Sequence, residues 1–190
     1  MADTDPAGAD AADPDAAALL RDFVNTLEID CASDELGTPA GLAGWLAGRA
    51  LVPPQAAATG ADLAAAIALR EGLRAAMLAH HGPSSPGPPL SGLDAALRDL
   101  PLRVTFAGGR PALTPIGDGV PAGLARIAAA IVDATASGTW TRLKVCQEDT
   151  CLWAFLDTSK NRSRAWCSMR VCGNRTKTRA YRARRRTAPG

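Results

Sequence analysis

The stretch VCQEDTCLWAFLDTSKNRSRAWCSMRVCGNR, residues 145–175, holds four of the five cysteines of a 190-residue chain. Cys146 and Cys151 are separated by four residues, Cys167 and Cys172 are again separated by four, and fifteen residues lie between the two pairs. Two short spans joined by a longer one suit a tetrahedral ion, and four cysteine thiolates commonly bind structural zinc. The spacing therefore predicts one structural zinc ion bound by these four cysteines.

Two disulfides, or buried free thiols, are the alternatives to a metal site. The start of the chain, MADTDPAGADAADPDAA, has neither a basic beginning nor an apolar segment, so no secretory signal is predicted. In the cytoplasm disulfides rarely persist, and clustered cysteines are more often metal ligands. An iron–sulfur cluster could also use four cysteines, but the paired spacing and the basic surroundings favour zinc.

Cys31, His80 and His81 are the remaining cysteine and the two histidines of the chain. Cys31 has no histidine nearby in sequence to activate it, and we assign it a structural role. His80 and His81 are adjacent, so on a helix their side chains point about 100° apart and are poorly placed to share one metal ion. A solvated helix end is the preferred interpretation of this pair.

Charge is divided unequally along the chain. Residues 1–140 carry 8 Lys and Arg against 16 Asp and Glu, a net charge of −8, whereas residues 141–190 carry 13 against 3, a net charge of +10. Such an asymmetry predicts a polyanionic partner, either nucleic acid or an anionic membrane surface. No apolar stretch approaches the roughly 20 residues that a membrane-spanning helix needs, so no membrane segment is predicted.

The N-terminal part is predicted to be mostly helical after a disordered leader. Residues 1–15 are rich in Asp, Pro and Ala and lack periodicity, which is typical of disorder. Apolar residues then recur at three- and four-residue steps in several segments, and the longest such helix is capped by Thr59 or Asp62 and ends near Ala79. Further along, LRVTFAGGRPALTP places two β-prone runs around a pair of glycines, which predicts a small β-hairpin.

The cysteine-rich module, residues 141–190, is predicted to combine a β-hairpin with a basic helix. LWAFLD is apolar and β-prone, TSKNRS is a polar turn, and RAWC returns to the third cysteine, a pattern that indicates a zinc-pinned hairpin. NRTKTRAYRARRR is rich in helix formers and extends to about residue 186. The order of knuckle, hairpin and ligand-bearing helix is typical of a treble-clef finger. The whole chain is therefore predicted to be mainly α, of the α+β class.

FLDTSKNRSRAWCSMRVCGNRTKTRAYRARR resembles the CGNR zinc finger, a C-terminal module named for four residues that here are Cys172, Gly173, Asn174 and Arg175. The resemblance covers residues 143–186. In that family the finger usually follows an ABATE domain, described as a stress-induced transcription regulator. Residues 16–138 resemble this domain through DFVNTL, GLAGWL and ALREGLRAAMLAH. The resemblance implies a zinc-containing regulator of transcription.

Double-stranded DNA is the preferred partner for the basic module. On a helix, four arginines at steps of four, three and four form a cationic stripe whose repulsion is relieved when phosphates neutralise it and counterions are released. Asn174 and Arg175 contact bases in this interpretation, but Asn174 serves equally well as a helix cap or as a brace of the zinc loop. The candidate nucleic-acid-binding residues are Arg162, Arg164, Asn174, Arg175, Lys177, Arg179, Arg182, Arg185 and Arg186.

These observations predict a cytoplasmic DNA-binding transcription regulator whose N-terminal domain senses a small-molecule effector or forms a homodimer. No nucleophile–base pair, phosphate-binding glycine loop or open metal site is evident, so no enzymatic activity is expected. One alternative is a protein-interaction module whose cations meet an acidic protein. Another is a small-molecule pocket lined by Asp22, Asn25 and Arg70, although a hydrogen-bonded core network explains these polar residues equally well.

Overall fold

The structure, a computed structural model, describes residues 16–82, 91–107 and 109–187. Within these ranges the chain forms six α-helices and three two-stranded antiparallel sheets, which confirms the predicted α+β class. The predicted leader, residues 1–15, lies outside the described residues. In chain order the elements are α1 (Ala16–Val24), β1 (Leu27–Glu28), β2 (Ser33–Asp34), α2 (Pro39–Ala47), α3 (Gly60–Ala79), α4 (Ser91–Leu97), β3 (Leu102–Ala107), β4 (Arg110–Pro115), α5 (Gly119–Ala136), a 3-10 turn (Trp140–Arg142), β5 (Leu143–Val145), β6 (Ala154–Leu156), a π-helical turn (Met169–Gly173) and α6 (Asn174–Thr187).

The hydrophobic core is built by the apolar faces of α1, α2, α3 and α5. In α1 the buried apolar positions recur at three- and four-residue steps, as predicted, and include Leu19, Leu20, Phe23 and Val24. The Phe23 ring packs against Trp45 of α2 at a centroid distance of 5.3 Å. Among the described helices, α5 alone is long and apolar enough to cross a bilayer, and more than half of it is buried in this core. Such burial is typical of the core helix of a soluble protein.

The long helix α3 begins where the sequence predicts, because both candidate caps act together. The Asp62 N–H donates to Thr59 Oγ1 at 3.1 Å, and the Thr59 N–H donates in return to Asp62 Oδ2 at 2.8 Å. This capping box satisfies two of the donors that a helix start leaves unpaired. It fixes the start of the helix whose other end, near His80 and His81, contacts the cysteine-rich module.

The predicted hairpin around the glycine pair is confirmed by β3 and β4. Its register places Val104 opposite Leu113 and Thr105 opposite Ala112, and Gly109 in the turn has a φ of 76°, which glycine adopts without strain. The exposed fractions of Val104 and Phe106 are 65% and 77%, so one face of this hairpin presents apolar side chains to solvent.

The hairpin predicted within the cysteine-rich module is wrong in its pairing. The structure pairs β6 with β5, which precedes the first cysteine, with Leu143 opposite Leu156 and Val145 opposite Ala154. RAWC forms no strand. The physical reason is that the turn between Cys146 and Cys151 reverses the chain, so the segments that flank this turn become neighbours. The inner residues of the hairpin, Leu143, Val145 and Ala154, belong to the same core as α1 and α3.

We predict that Gly72→Ala destabilises the protein by about 1–3 kcal/mol, because a Cβ atom at this position of α3 would lie 2.8 Å from Leu93 Cα in α4. The clash is with backbone, so it outweighs the better helix propensity of alanine. Gly44→Ala in α2 is the matched control. Its Cβ meets no atom within 4 Å, so stability should stay constant or rise by up to about 1 kcal/mol. Urea unfolding of both variants measures this difference, and equal stability would contradict the tight helix packing.

Candidate metal centre and nucleic-acid interface

The four cysteines of the module converge on one point. Their sulfur atoms all lie within 4.8 Å of one another, and the Cys151–Cys167 and Cys167–Cys172 sulfur pairs are each 3.7 Å apart. A tetrahedral zinc ion with Zn–S bonds of about 2.3 Å separates its ligands by roughly 3.8 Å. The cysteines therefore fit one zinc ion, as the sequence predicts. All four positions are filled by protein sulfur, so the site is structural rather than catalytic.

The chemistry of the thiols explains why they need a cation. Burial raises the pKa of Cys151, and it raises the pKa of Cys167 to about 12, while the negative charge of a Cys146 thiolate acts in the same direction in both cases. The thiolates of a metal-free cluster would repel one another. A divalent ion compensates for this charge, so metal binding and folding of the module are coupled.

Three elements position the sulfur ligands. Cys146 directly follows β5, and its N–H donates to the Trp153 carbonyl at 2.9 Å. The Cys151 N–H donates to the Glu148 carbonyl at 2.8 Å and closes the turn, after which Leu152 has a left-handed φ of 48°. Cys172 lies in the π-helical turn that leads into α6. The ion thus joins the first turn, the hairpin and the start of α6.

Glu148, inside the first cysteine turn, is buried and fixes α6. Its carboxylate accepts hydrogen bonds from Thr176 Oγ1 at 2.7 Å and from the Arg179 guanidinium. The Thr176 hydroxyl, followed by Arg179, lowers the pKa of this carboxyl below its usual value. This role of Glu148 is not evident from the sequence, although only three acidic residues occur in the last fifty and such scarcity is a usable signal.

Two arginines of the predicted DNA-contacting stripe have protein partners. Arg175 Nη1 lies 3.0 Å from Asp30 Oδ1 and donates to Thr150 Oγ1 at 2.9 Å, so it links α6 to the N-terminal part. Arg179 pairs with Glu148 and lies 3.4 Å from Asp149. The first half of the stripe, Arg175 and Arg179, therefore faces the turn between Cys146 and Cys151. Nucleic-acid contact by these two residues stays a prediction.

The other candidates on α6 whose side chains the structure describes are exposed, and two of them have contacts within the helix or its preceding turn. Asn174 is exposed, and its side-chain amide donates to the Arg170 carbonyl at 3.0 Å, which is the bracing role considered as its alternative. The Arg185 guanidinium lies 5.9 Å from the centre of the Tyr181 ring. Lys177, Arg182 and Arg185 are exposed, whereas the Arg186 side chain lies outside the described part of the structure.

Arg162 and Arg164 lie in a loop that Asp157 organises. The buried Asp157 carboxylate accepts from Lys144 Nζ at 2.9 Å and from the Ser159 and Arg164 N–H groups at 3.0 Å. Burial alone would raise the pKa of Asp157, but the Ser159 hydroxyl, which donates to it at 2.6 Å, together with Lys144 and the two N–H groups lowers it well below the usual range. Arg162 is exposed with a left-handed φ of 50°. The loop therefore presents two cations from a fixed backbone.

The three N-terminal candidates do not share one pocket. Asp22 forms an ion pair with Arg21 at 2.8 Å, and with Asn25 it lines a cleft against the cysteine-rich module. Arg70 does not line this cleft. Its guanidinium is buried and bidentate to Asp34, at 2.7 and 3.0 Å. A hydrogen-bonded network thus explains Arg70, which was the alternative to a ligand-binding role.

Polar side chains directly after α1 and on α3 bind the backbone of the β5–β6 hairpin. The Asn25 amide pairs with both backbone groups of Ala154, donating at 2.9 Å and accepting at 2.7 Å. The buried Arg74 donates to the carbonyls of Leu152 and Val24, each at 2.8 Å. The cysteine-rich module is therefore joined to the N-terminal part by specific hydrogen bonds as well as by the shared core.

His80 and His81 belong to the same junction, so the interpretation as a solvated helix end is wrong. His80 Nδ1 lies 2.7 Å from the Leu143 carbonyl, and His81 Nε2 lies 2.7 Å from the Val145 carbonyl. Because a carbonyl only accepts, both ring nitrogens donate. The two side chains point apart at the end of α3, so each contacts a different carbonyl of β5. The sequence alone does not reveal this pairing.

Comparisons with known proteins agree with this description. A family model described as "Putative stress-induced transcription regulator", named ABATE, matches residues 5–138. A second model, the CGNR zinc finger, matches residues 142–185, which include all four cysteines. No curated protein is significantly similar to the chain in sequence. The two matches confirm both resemblances inferred from the sequence, and the second confirms zinc as the expected ion.

We predict that the purified chain contains one zinc ion and that Cys172→Ser abolishes stoichiometric binding, because the site then lacks a fourth thiolate. Cys31→Ser is the control, since Cys31 is exposed and lies outside the cluster. Elemental analysis of both variants after dialysis gives the zinc content. A full zinc complement in Cys172→Ser, or its loss in Cys31→Ser, would contradict the assignment of ligands.

We predict that stability decreases as the pH falls below about 6.5, the ordinary pKa of histidine. Burial lowers the pKa of His80 and His81, although their hydrogen bonds to carbonyls oppose the shift. The unfolded chain therefore binds protons before the folded chain does, and stability present above pH 6.5 is lost towards the lower folded pKa values.

The double variant His80→Asn, His81→Gln tests this prediction because each amide nitrogen keeps a donor near the ring nitrogen it replaces but does not titrate. Its free energy of unfolding should fall less between pH 7 and about pH 5.5 than that of the wild type. Zinc content is measured at each pH so that metal loss is recognised. Identical pH profiles would show that the histidines do not contribute.

Proposed function

Because the chain belongs to the ABATE family and carries a CGNR zinc finger, we propose that it is a DNA-binding regulator of transcription that acts in the cytoplasm. The observation that supports this proposal most strongly is the attachment of α6. One face of the helix is bound by Glu148 in the turn between Cys146 and Cys151. The opposite face is therefore exposed and cationic. A reducing compartment also suits four thiolates that bind zinc.

The exposed face of α6 is the proposed recognition surface, defined here as Asn174, Lys177, Tyr181 and Arg185. These positions are spaced by three or four residues and therefore lie on one side of the helix. All four are exposed, and 55% of Tyr181 is accessible. An α-helix fits the major groove of B-DNA, where cations bind phosphates and an amide reads base edges. Arg182 and the loop cations Arg162 and Arg164 extend the positive surface.

The inward arginines have a different role in this proposal. Arg175 and Arg179 are paired with Asp30, Asp149 and Glu148, so their charge is partly neutralised before DNA arrives. They orient α6 rather than read DNA. No enzymatic reaction is proposed for the chain. The N-terminal part supplies sensing or association with a second copy, and the exposed apolar pair Val104 and Phe106 on β3 favours association.

We predict that zinc-loaded protein binds duplex DNA with an affinity that decreases with salt, and that Lys177→Ala and Arg185→Ala each weaken binding. Each variant should lower the slope of log K against log salt concentration by about 1, because one phosphate contact is lost. Arg103→Ala, an exposed cation on β3, is the matched control and should bind as the wild type does. Fluorescence anisotropy with labelled duplexes at several salt concentrations measures all three.

The alternative to DNA is an acidic protein that binds the basic module, and the same binding measurement distinguishes the two. Absence of DNA binding at low salt, together with binding of an acidic polypeptide such as poly-glutamate, would contradict the proposal. Selection of duplexes from a random pool with zinc-loaded and chelated protein then shows whether one sequence is preferred. Enrichment in the zinc-loaded sample alone is the expected result.

A further inference from the structure

A cleft separates the N-terminal part from the zinc finger. Its volume is about 830 Å³, within the range of roughly 300–1,000 Å³ that is typical of small-molecule sites. One wall is formed by Arg21 and Asp22 of α1 and by Arg49, which follows α2. The remaining lining includes Trp153, β6, Arg164 and the zinc ligand Cys167 of the finger. A molecule bound here would contact both parts of the chain.

Two guanidinium groups in this cleft are held in place by aromatic rings. The Arg49 guanidinium lies 3.8 Å from the centre of the Trp45 ring, and that of Arg164 lies 4.8 Å from the centre of the Phe155 ring. Neither forms an ion pair with a carboxylate in the described part of the chain. Guanidinium groups that are fixed in this way are prepared to bind an anion without a large loss of side-chain entropy.

The charges on the lining select for one negative charge. Arg21 is neutralised by Asp22 at 2.8 Å, and Glu35 is the only other carboxylate on the lining. The lining also includes Cys167, whose thiolate charge is shared with the zinc ion; the other charged side chains, three arginines against two carboxylates, have a net charge of +1, which complements a monoanion better than a dianion. Trp153 and the buried Phe155 supply the apolar surface on which an aromatic body packs.

We propose that this cleft binds a small aromatic monocarboxylate, whose carboxylate is held by the guanidinium groups of the lining and whose ring packs against Trp153. Arg164 also donates to the carbonyl of the zinc ligand Cys167 at 2.7 Å, so the ligand is connected to the metal site through one residue. Because Arg49 belongs to the N-terminal part and Arg164 to the finger, the site is complete only while the finger is docked on the N-terminal part. The ligand therefore stabilises the docked arrangement of the zinc-loaded chain.

The test uses the zinc-loaded full chain and two probes with the same ring and nearly the same shape, the anion 1-naphthoate and its uncharged amide. Isothermal titration calorimetry should show saturable binding of one naphthoate per chain and binding of the amide at least about tenfold weaker, because charge-assisted hydrogen bonds to guanidinium are lost. Arg49→Gln and Arg164→Gln should each weaken naphthoate binding by about tenfold. Arg98→Gln, an exposed position away from the cleft, should not change it.

Three results would overturn the inference: no saturable naphthoate binding up to millimolar concentration, equal binding of acid and amide, or unchanged binding in Arg49→Gln. The Arg49 variant is decisive because this residue touches neither the zinc ligands nor their loop. Zinc content and circular dichroism identify any loss of folding in Arg164→Gln. The titration contains no DNA, so failure here and failure of the proposed DNA binding are distinguishable.

Discussion

Four thiolates around one divalent ion are the constraint on which the C-terminal fold depends. The sulfur atoms come from the end of β5, a tight turn, the segment after the Asp157 loop and a π-helical turn, and they meet within 4.8 Å. Burial raises the pKa of Cys151 and Cys167, and a divalent ion compensates for the negative charge of the thiolates that bind it. The orientation of α6 follows from this site and from Glu148.

The finger is joined to the N-terminal part by more than chain continuity. The inner face of β5–β6 belongs to the core of α1 and α3, while Asn25, Arg74, His80 and His81 bind its backbone. Backbone groups that would otherwise be buried without partners are thereby satisfied. The zinc site and the helical core consequently share one hairpin. Any change that moves the hairpin is felt at both the metal and the cleft between the two parts.

The sequence predicts features that depend on local pattern. Cysteine spacing indicated the metal and its ligands, apolar periodicity indicated the helices, and Thr59 with Asp62 marked the start of α3. Features that depend on tertiary contact were not accessible. The partner of β6, the paired state of Arg175 and the role of His80 are decided by residues distant in sequence. The rarity of acidic residues in the last fifty indicates that Glu148 has a role, but it does not indicate that Thr176 and Arg179 are the partners of its carboxylate.

The most direct test of this account is X-ray absorption spectroscopy of the purified, zinc-loaded chain at the zinc edge. The account predicts four sulfur neighbours at about 2.3 Å and no nitrogen or oxygen in the first coordination sphere. A site with two or three sulfur atoms completed by histidine or water would contradict it. Such a result would remove the closed structural centre from which the attachment of α6 and the exposure of its outer face have been derived.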